Sequence, residues 1–135
     1  MENTRLSDHF TLAECCNWKK YPANQPTVQQ MVNMTYGCLM LLEPARQAIG
    51  CSIIITSGFR CEAVNRQVGG VKNSQHLVGQ AADIRPCNPQ QFQRLVDFLR
   101  ACEHTDQLLT ASGWLHISWN PLGIPRHDVR IAYYK

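Results

Sequence analysis

The sequence predicts an α+β domain in which helices cover a small mixed or antiparallel sheet, and three observations predict it. Residues 28–49 repeat apolar side chains at helical spacing, several short β-branched runs sit between turn residues, and the elements run helix, strand, helix, then strands. At 135 residues the chain has the length of one domain, so residues 1–135 are expected to form one body. Hydrophobic residues make up 44% and charged residues 17%, enough to fill a core, which excludes a disordered, collagen-like or coiled-coil chain.

The first element is an extended lead-in followed by a short helix capped at Thr11, where Glu14 completes a capping box. Pro22, Asn24 and Pro26 mark a loop. Thr27 then caps the main helix, on which Val28, Met31, Val32, Thr35, Leu39 and Leu42 recur at three and four; Pro44 should kink or break it and Gly50 end it. Residues 51–56 form a short β-branched run that reads as a buried strand. Residues 57–80 read as a loop, and Gly58, Gly69, Gly70 and Gly79 suit it to close approach by a ligand. Residues 81–85 predict a second strand, and Asn88 or Pro89 opens a helix to about Cys102. Residues 107–109 and 115–119 predict two more strands, and residues 130–134 a terminal one.

Charge and cysteine usage exclude several function classes. Thirteen basic and ten acidic residues leave a net charge of +3, scattered rather than clustered, so nucleic acid is not expected as a partner. The longest apolar run, residues 38–42, is far too short to span a membrane, which predicts a soluble protein. The opening MENTRLSDHF has neither the basic nor the apolar region of a secretory signal, which predicts synthesis in the cytoplasm with reduced thiols. The seven cysteines are accordingly read as small buried hydrophobes, and the adjacent Cys15 and Cys16 lack the spacing of a zinc knuckle.

The chemistry concentrates on a few positions. Asp83 stands between Ala82 and Ile84 in an apolar strand, where a carboxylate costs several kcal/mol unless an arginine or a metal ion compensates it. Of five histidines, His76 lies in the glycine-rich stretch and His116 alternates with Leu115 and Ile117 on another strand. Two imidazoles and one carboxylate form a donor set that zinc accepts, with a fourth position left for water.

The wider string is more specific. Ile55-Thr56-Ser57-Gly58-Phe59-Arg60, Asn65, Val68-Gly69-Gly70, Ser74-Gln75-His76, Gly79, Ala81-Ala82-Asp83-Ile84 and Trp114-Leu115-His116-Ile117-Ser118 follow in order. In sequence and spacing they resemble the zinc D-Ala-D-Ala carboxypeptidases, peptidase family M15, above all its small phage-type members. The opening LSDHFTLAE resembles the start of those proteins too. The resemblance implies a Hedgehog/D-Ala-D-Ala-peptidase-like fold with a zinc cleft, and one zinc ion held by His76, Asp83 and His116. It assigns Arg60 to substrate binding and to polarising the bond that is cut.

Peptide hydrolysis also needs a group that moves protons. Family members carry a Glu or Asp three residues before the last histidine, or a Glu after the Asp-Gln-Leu string; here Gly113 and Ala111 stand there. Glu103, His104 and Asp106 are the candidates within that segment, and Asp106 is read as a brace for a ligand or turn before a base. Ser74 and Gln75 are expected to orient His76, to bond the substrate backbone or to stabilise their turn, and Trp114 and Trp119 to serve as core, cleft wall or substrate platform.

The sequence and the resemblance therefore predict a monomeric zinc metallopeptidase acting on the peptide stems of bacterial peptidoglycan, as a D-Ala-D-Ala carboxypeptidase or an endopeptidase of the endolysin type. A phage-encoded enzyme acting on the host cell wall at lysis or from the particle fits the missing signal. Two other readings stay open: a zinc- and peptide-binding pseudo-enzyme, and a virion-associated structural module.

Overall fold

Thr11 and Thr27 start helices as their flanking residues predict. Thr11 caps α1 (Leu12–Cys16) and Thr27 caps α2 (Val28–Gly37); each hydroxyl accepts from the amide three residues on, and Glu14 or Gln30 returns the bond. In this computed structural model, which describes residues 3–134, a hairpin of β1 (Arg5–Ser7) and β2 (Phe10–Thr11) precedes α1. It is tied to the long helix by His9, whose amide and ring both bond the Glu43 carboxylate at 2.7 Å.

The long helix does not break at Pro44. After α2 it widens into a π-helical turn, Cys38–Leu42, and continues as α3 (Glu43–Ile49) until Gly50, at φ +69°, ends it. A proline ring collides with the carbonyl four residues before it, and the wider turn placed just ahead of Pro44 relieves that collision.

Five strands form a mixed sheet: β3 (Ile53–Ser57), β4 (Ala81–Pro86), β5 (Gln107–Thr110), β6 (Leu115–Ser118) and β7 (Asp128–Arg130). Their order is β3-β4-β6-β5-β7, antiparallel except where β7 runs parallel to β5. Alternation gives the sheet two chemistries. Ala82, Ile84, Leu108, Leu115 and Ile117 point into a core shared with Leu41 and Leu42 of the long helix and Leu95 and Leu99 of α5 (Phe92–Ala101). The opposite face carries Asp83, Gln107, Leu109 and His116 into a cleft.

Two expectations need correction. Residues 57–80 are not all loop, because α4 (Glu62–Gln67) forms within them; the glycines on either side hide a stretch too short to show a period. Residues 130–134 are not a strand: β7 covers Asp128–Arg130, and Ala132, at φ +55°, turns the chain out of the ladder. Among the described residues no helix is long and apolar enough to cross a membrane. All seven cysteines are free, and Cys15 and Cys38 meet sulfur to sulfur at 3.7 Å in the core.

Candidate metal centre

Asp83 and His116 stand directly opposite each other in the β4–β6 ladder, so strand register alone brings carboxylate and imidazole together. His116 Nδ1 lies 3.0 Å from Asp83 Oδ1. His76 arrives from the other side, on the 3-10 turn Gln75–Val78, and its Nε2 lies 3.4 Å from the same oxygen.

The turn that carries His76 is held at both ends. The Ser74 hydroxyl accepts from the His76 amide, Gly79 closes the turn at φ +75°, and the first turns of α2 reach it through Gln30 to Leu77 O and Asn33 to Val78 O. A side chain on Gly79 would meet the Gln30 carbonyl, so only glycine lets the turn sit this close to the helix. His76 Nδ1 donates to the Gly58 carbonyl at 2.7 Å. That bond fixes the tautomer and leaves the Nε2 lone pair facing Asp83.

One donor atom each from His76, Asp83 and His116 lies within 4.8 Å of the others. A tetrahedral ion with bonds of about 2.1 Å separates its ligand atoms by roughly 3.4 Å, close to the 3.0 and 3.4 Å that separate Asp83 Oδ1 from the two imidazole nitrogens. Neutral nitrogen, carboxylate oxygen and a fixed tautomer make the set fit zinc in chemistry as well as in spacing. Burial alone would raise the Asp83 pKa, but the His116 and His76 imidazoles beside it hold its carboxyl well below the usual carboxylate range.

Arg60 borders the same carboxylate. Its Nη2 is 3.4 Å from Asp83 Oδ2, its Nε donates to Ser57 at 2.9 Å and its Nη1 to Asn65 at 3.1 Å. The two carboxylate oxygens thus divide their work, Oδ1 serving the imidazoles and Oδ2 meeting the guanidinium at long range. Gly70 packs against Asn65 and Arg60 so closely that a side chain there would displace both.

Asp106 lies deeper in the cleft wall and is occupied. Arg126 grips both its oxygens, Gln75 donates to it at 3.0 Å and Ser118 at 3.1 Å. Burial opposes its ionisation, but the Arg126 hydrogen bonds outweigh burial and bring it down to about 2. Gln75 in turn accepts from Arg126 at 3.0 Å, so both ends of its amide are engaged. Trp119 is core, its ring buried and its Nε1 donating to Asn33 O at 2.8 Å. Trp114 is cleft wall, stacked on Tyr134 with centroids 5.0 Å apart. Gly113, where the resemblance places a carboxylate, holds φ +81° in the turn between β5 and β6, a conformation that strains any residue with a side chain. Arg60, His76, Asp83, Asp106, Trp114 and His116 line one cleft of about 790 Å³.

The family model for peptidase M15 matches residues 8–118, most of the chain and every residue of the His-Asp-His set. The chain belongs to the peptidase M15 family. A search among curated proteins finds no match. Membership in a peptidase family points to a peptide as what this M15 cleft receives. The match stops at Ser118, yet the cleft does not, since Arg126, Tyr133 and Tyr134 line it from the segment that follows. The sequence reading gave those three no role, nor the Gly58 carbonyl. Nothing in the string IPRHDVRIAYYK marks them, because their partners lie tens of residues away.

Proposed function

We propose that this M15 peptidase is a zinc metallopeptidase that hydrolyses peptide bonds in bacterial peptidoglycan stems, as a carboxypeptidase or an endopeptidase. The observation that carries the reading is the convergence of His76, Asp83 and His116 on one point with the His76 tautomer already set. Those three side chains would hold one zinc ion. When bound, zinc supplies Lewis acidity at the peptide carbonyl and makes water more acidic. The wall substrate is what the resemblance of the Ser57-to-Ser118 motifs implies.

The chain's own residues have distinct tasks. Arg60, fixed by Ser57 and Asn65, retains donors for a peptide carboxylate or carbonyl oxygen. Ser74 and Gln75 hold the turn that presents His76, since the hydroxyl of one and the amide of the other are spent on it and on Asp106. Asp106 is a brace, because a carboxylate gripped by Arg126 makes a poor base. Trp114 forms the apolar wall against which a peptide lies.

A second reading, a zinc- and peptide-binding domain without turnover, is favoured by one observation: the only carboxylates among the described residues lining the cleft, Asp83 and Asp106, are both engaged. One assay separates the two. Purified peptidoglycan is incubated with zinc-loaded protein, with and without chelator, and released D-alanine and cut stem peptides are measured. Zinc-dependent product is expected; none at high protein concentration would sink the hydrolase and leave the binding domain.

A further inference from the structure

Segment 119–134 lies outside the family match, yet it closes one side of the cleft. It returns along β5, where the Ala132 amide donates to Thr110 Oγ1 at 2.6 Å and the Tyr134 amide to Thr110 O at 3.2 Å. Thr110 pairs with Leu115, and the next pair along that ladder is Leu109 with His116. Tyr134 is therefore anchored within one residue of the level of His116, on the far edge of β5. Two strand spacings, about 10 Å, separate the two backbones, and the tyrosine side chain spans most of such a gap.

The ring's direction follows from its neighbours. It stacks on Trp114 at 19° between planes, and Trp114 precedes His116 by two residues on the same cleft wall. Tyr133 meets it edge-on and turns toward Arg130, which sits over the Tyr133 ring at 5.5 Å, so Tyr133 belongs to the rim. Tyr134 lines the same cleft as Asp83, Arg60 and His116. Partial burial, and then the charge of Asp83, push its phenol up, while Arg60 pulls it back, so it keeps its proton at neutral pH. Among the described residues it has no hydrogen-bond partner.

We propose that the Tyr134 hydroxyl is a catalytic hydrogen-bond donor, aimed at the oxygen that gains negative charge when a peptide bond lying beside Asp83 and His116 is attacked. The proposal rests on the metallopeptidase reading above and adds a residue from outside the family match. Its chemistry is that of a preorganised donor: the phenol gives a hydrogen bond, transfers no proton, and matters most when the peptide carbon is tetrahedral. Trp114 supplies the rigidity by holding the ring from one face. This role is separate from the proton transfer that a carboxylate at position 113 or 111 would serve; Tyr134 adds a donor from the far edge of β5.

Tyr134→Phe removes the hydroxyl and keeps the stack. Zinc-loaded wild type and variant are titrated by calorimetry with a dipeptide phosphinate, a tetrahedral mimic of the attacked bond, and with the cleaved stem peptide. The variant is expected to bind the phosphinate about 10- to 100-fold more weakly. Its zinc content and melting temperature should match wild type, its affinity for the cleaved peptide should stay within about two-fold, and kcat should fall more than KM rises. Unchanged phosphinate affinity in the variant would overturn the proposal and leave the metallopeptidase reading standing. Equal weakening toward phosphinate and cleaved peptide would also overturn it, by making Tyr134 a ground-state contact. Failure of zinc-loaded wild type to bind the phosphinate at all would overturn the metallopeptidase reading, and this proposal with it.

Discussion

Asp83 shares its strand with Ala82 and Ile84, which are buried against the helices, and turns its own side chain to the cleft. Next to it, the contact of Arg60 with Asp83 is long and goes to the oxygen the imidazoles do not use, which fits the substrate-binding role proposed for it. Arg60→Ala is therefore expected to retain zinc while peptide binding weakens about ten-fold or more, as loss of a charged hydrogen bond implies. Metal analysis beside calorimetry with a stem peptide checks it, and wild-type affinity would count against it. Asp106 makes a different prediction. Its carboxyl is ordinarily near 3.8 and lies at about 2 in the fold, so the ionised form is the one that stabilises. That contribution, about 2 kcal/mol, is present above roughly pH 4 and fades as pH falls toward 2. In urea titrations with chelator, Asp106→Asn should be less stable than wild type at pH 7, and the gap should close near pH 2; a gap constant with pH would contradict this. The partners of Asp83 could be anticipated from the sequence because a carboxylate between apolar strand residues demands compensation. The grip of Arg126 on Asp106 could not, since the two lie twenty residues apart with no periodic link.

The long helix is the element on which the site leans. Its first turns hold the His76 turn through Gln30 and Asn33, and Gly37, near the π-helical widening, lies flush against the Trp119 indole. A methyl group at position 37 would run into that ring, which is buried and hydrogen-bonded to Asn33 O. Gly37→Ala is accordingly expected to cost about 1–3 kcal/mol of stability, although alanine is the better helix former. Chemical denaturation checks it, and wild-type stability would mean the indole is free to move. Caps, the apolar period and the Gly50 stop made this helix legible from Thr27 onward. The effect of Pro44 was legible only as a disturbance, because a kink and a π-helical widening answer the same collision and sequence does not choose between them. Helix α4 escaped notice for want of length, and the last strand was displaced because alternation at residues 130–134 competes with the left-handed turn at Ala132.

At the scale of the molecule, the proposed ligands come from β4, from β6 and from a turn docked on α2, so a bound ion would tie the cleft face of the sheet to the helical layer. Binding only the folded state, zinc would stabilise it by mass action. The α+β architecture and the grouping of His76, Asp83 and His116 were both legible, since each depends on local pattern and on motif order. The closing of the cleft by residues 119–134 was not, since it depends on a return along β5 that no motif announces. Free thiols are softer zinc donors than imidazole or carboxylate, which makes the nature of the bound atoms decisive. X-ray absorption at the zinc edge, on protein holding one ion per chain, tests this most directly. We predict nitrogen and oxygen neighbours at about 2.0–2.1 Å with the outer scattering of two imidazoles, lost in His76→Ala; sulfur at about 2.3 Å, or a spectrum unchanged by that substitution, would contradict the assignment.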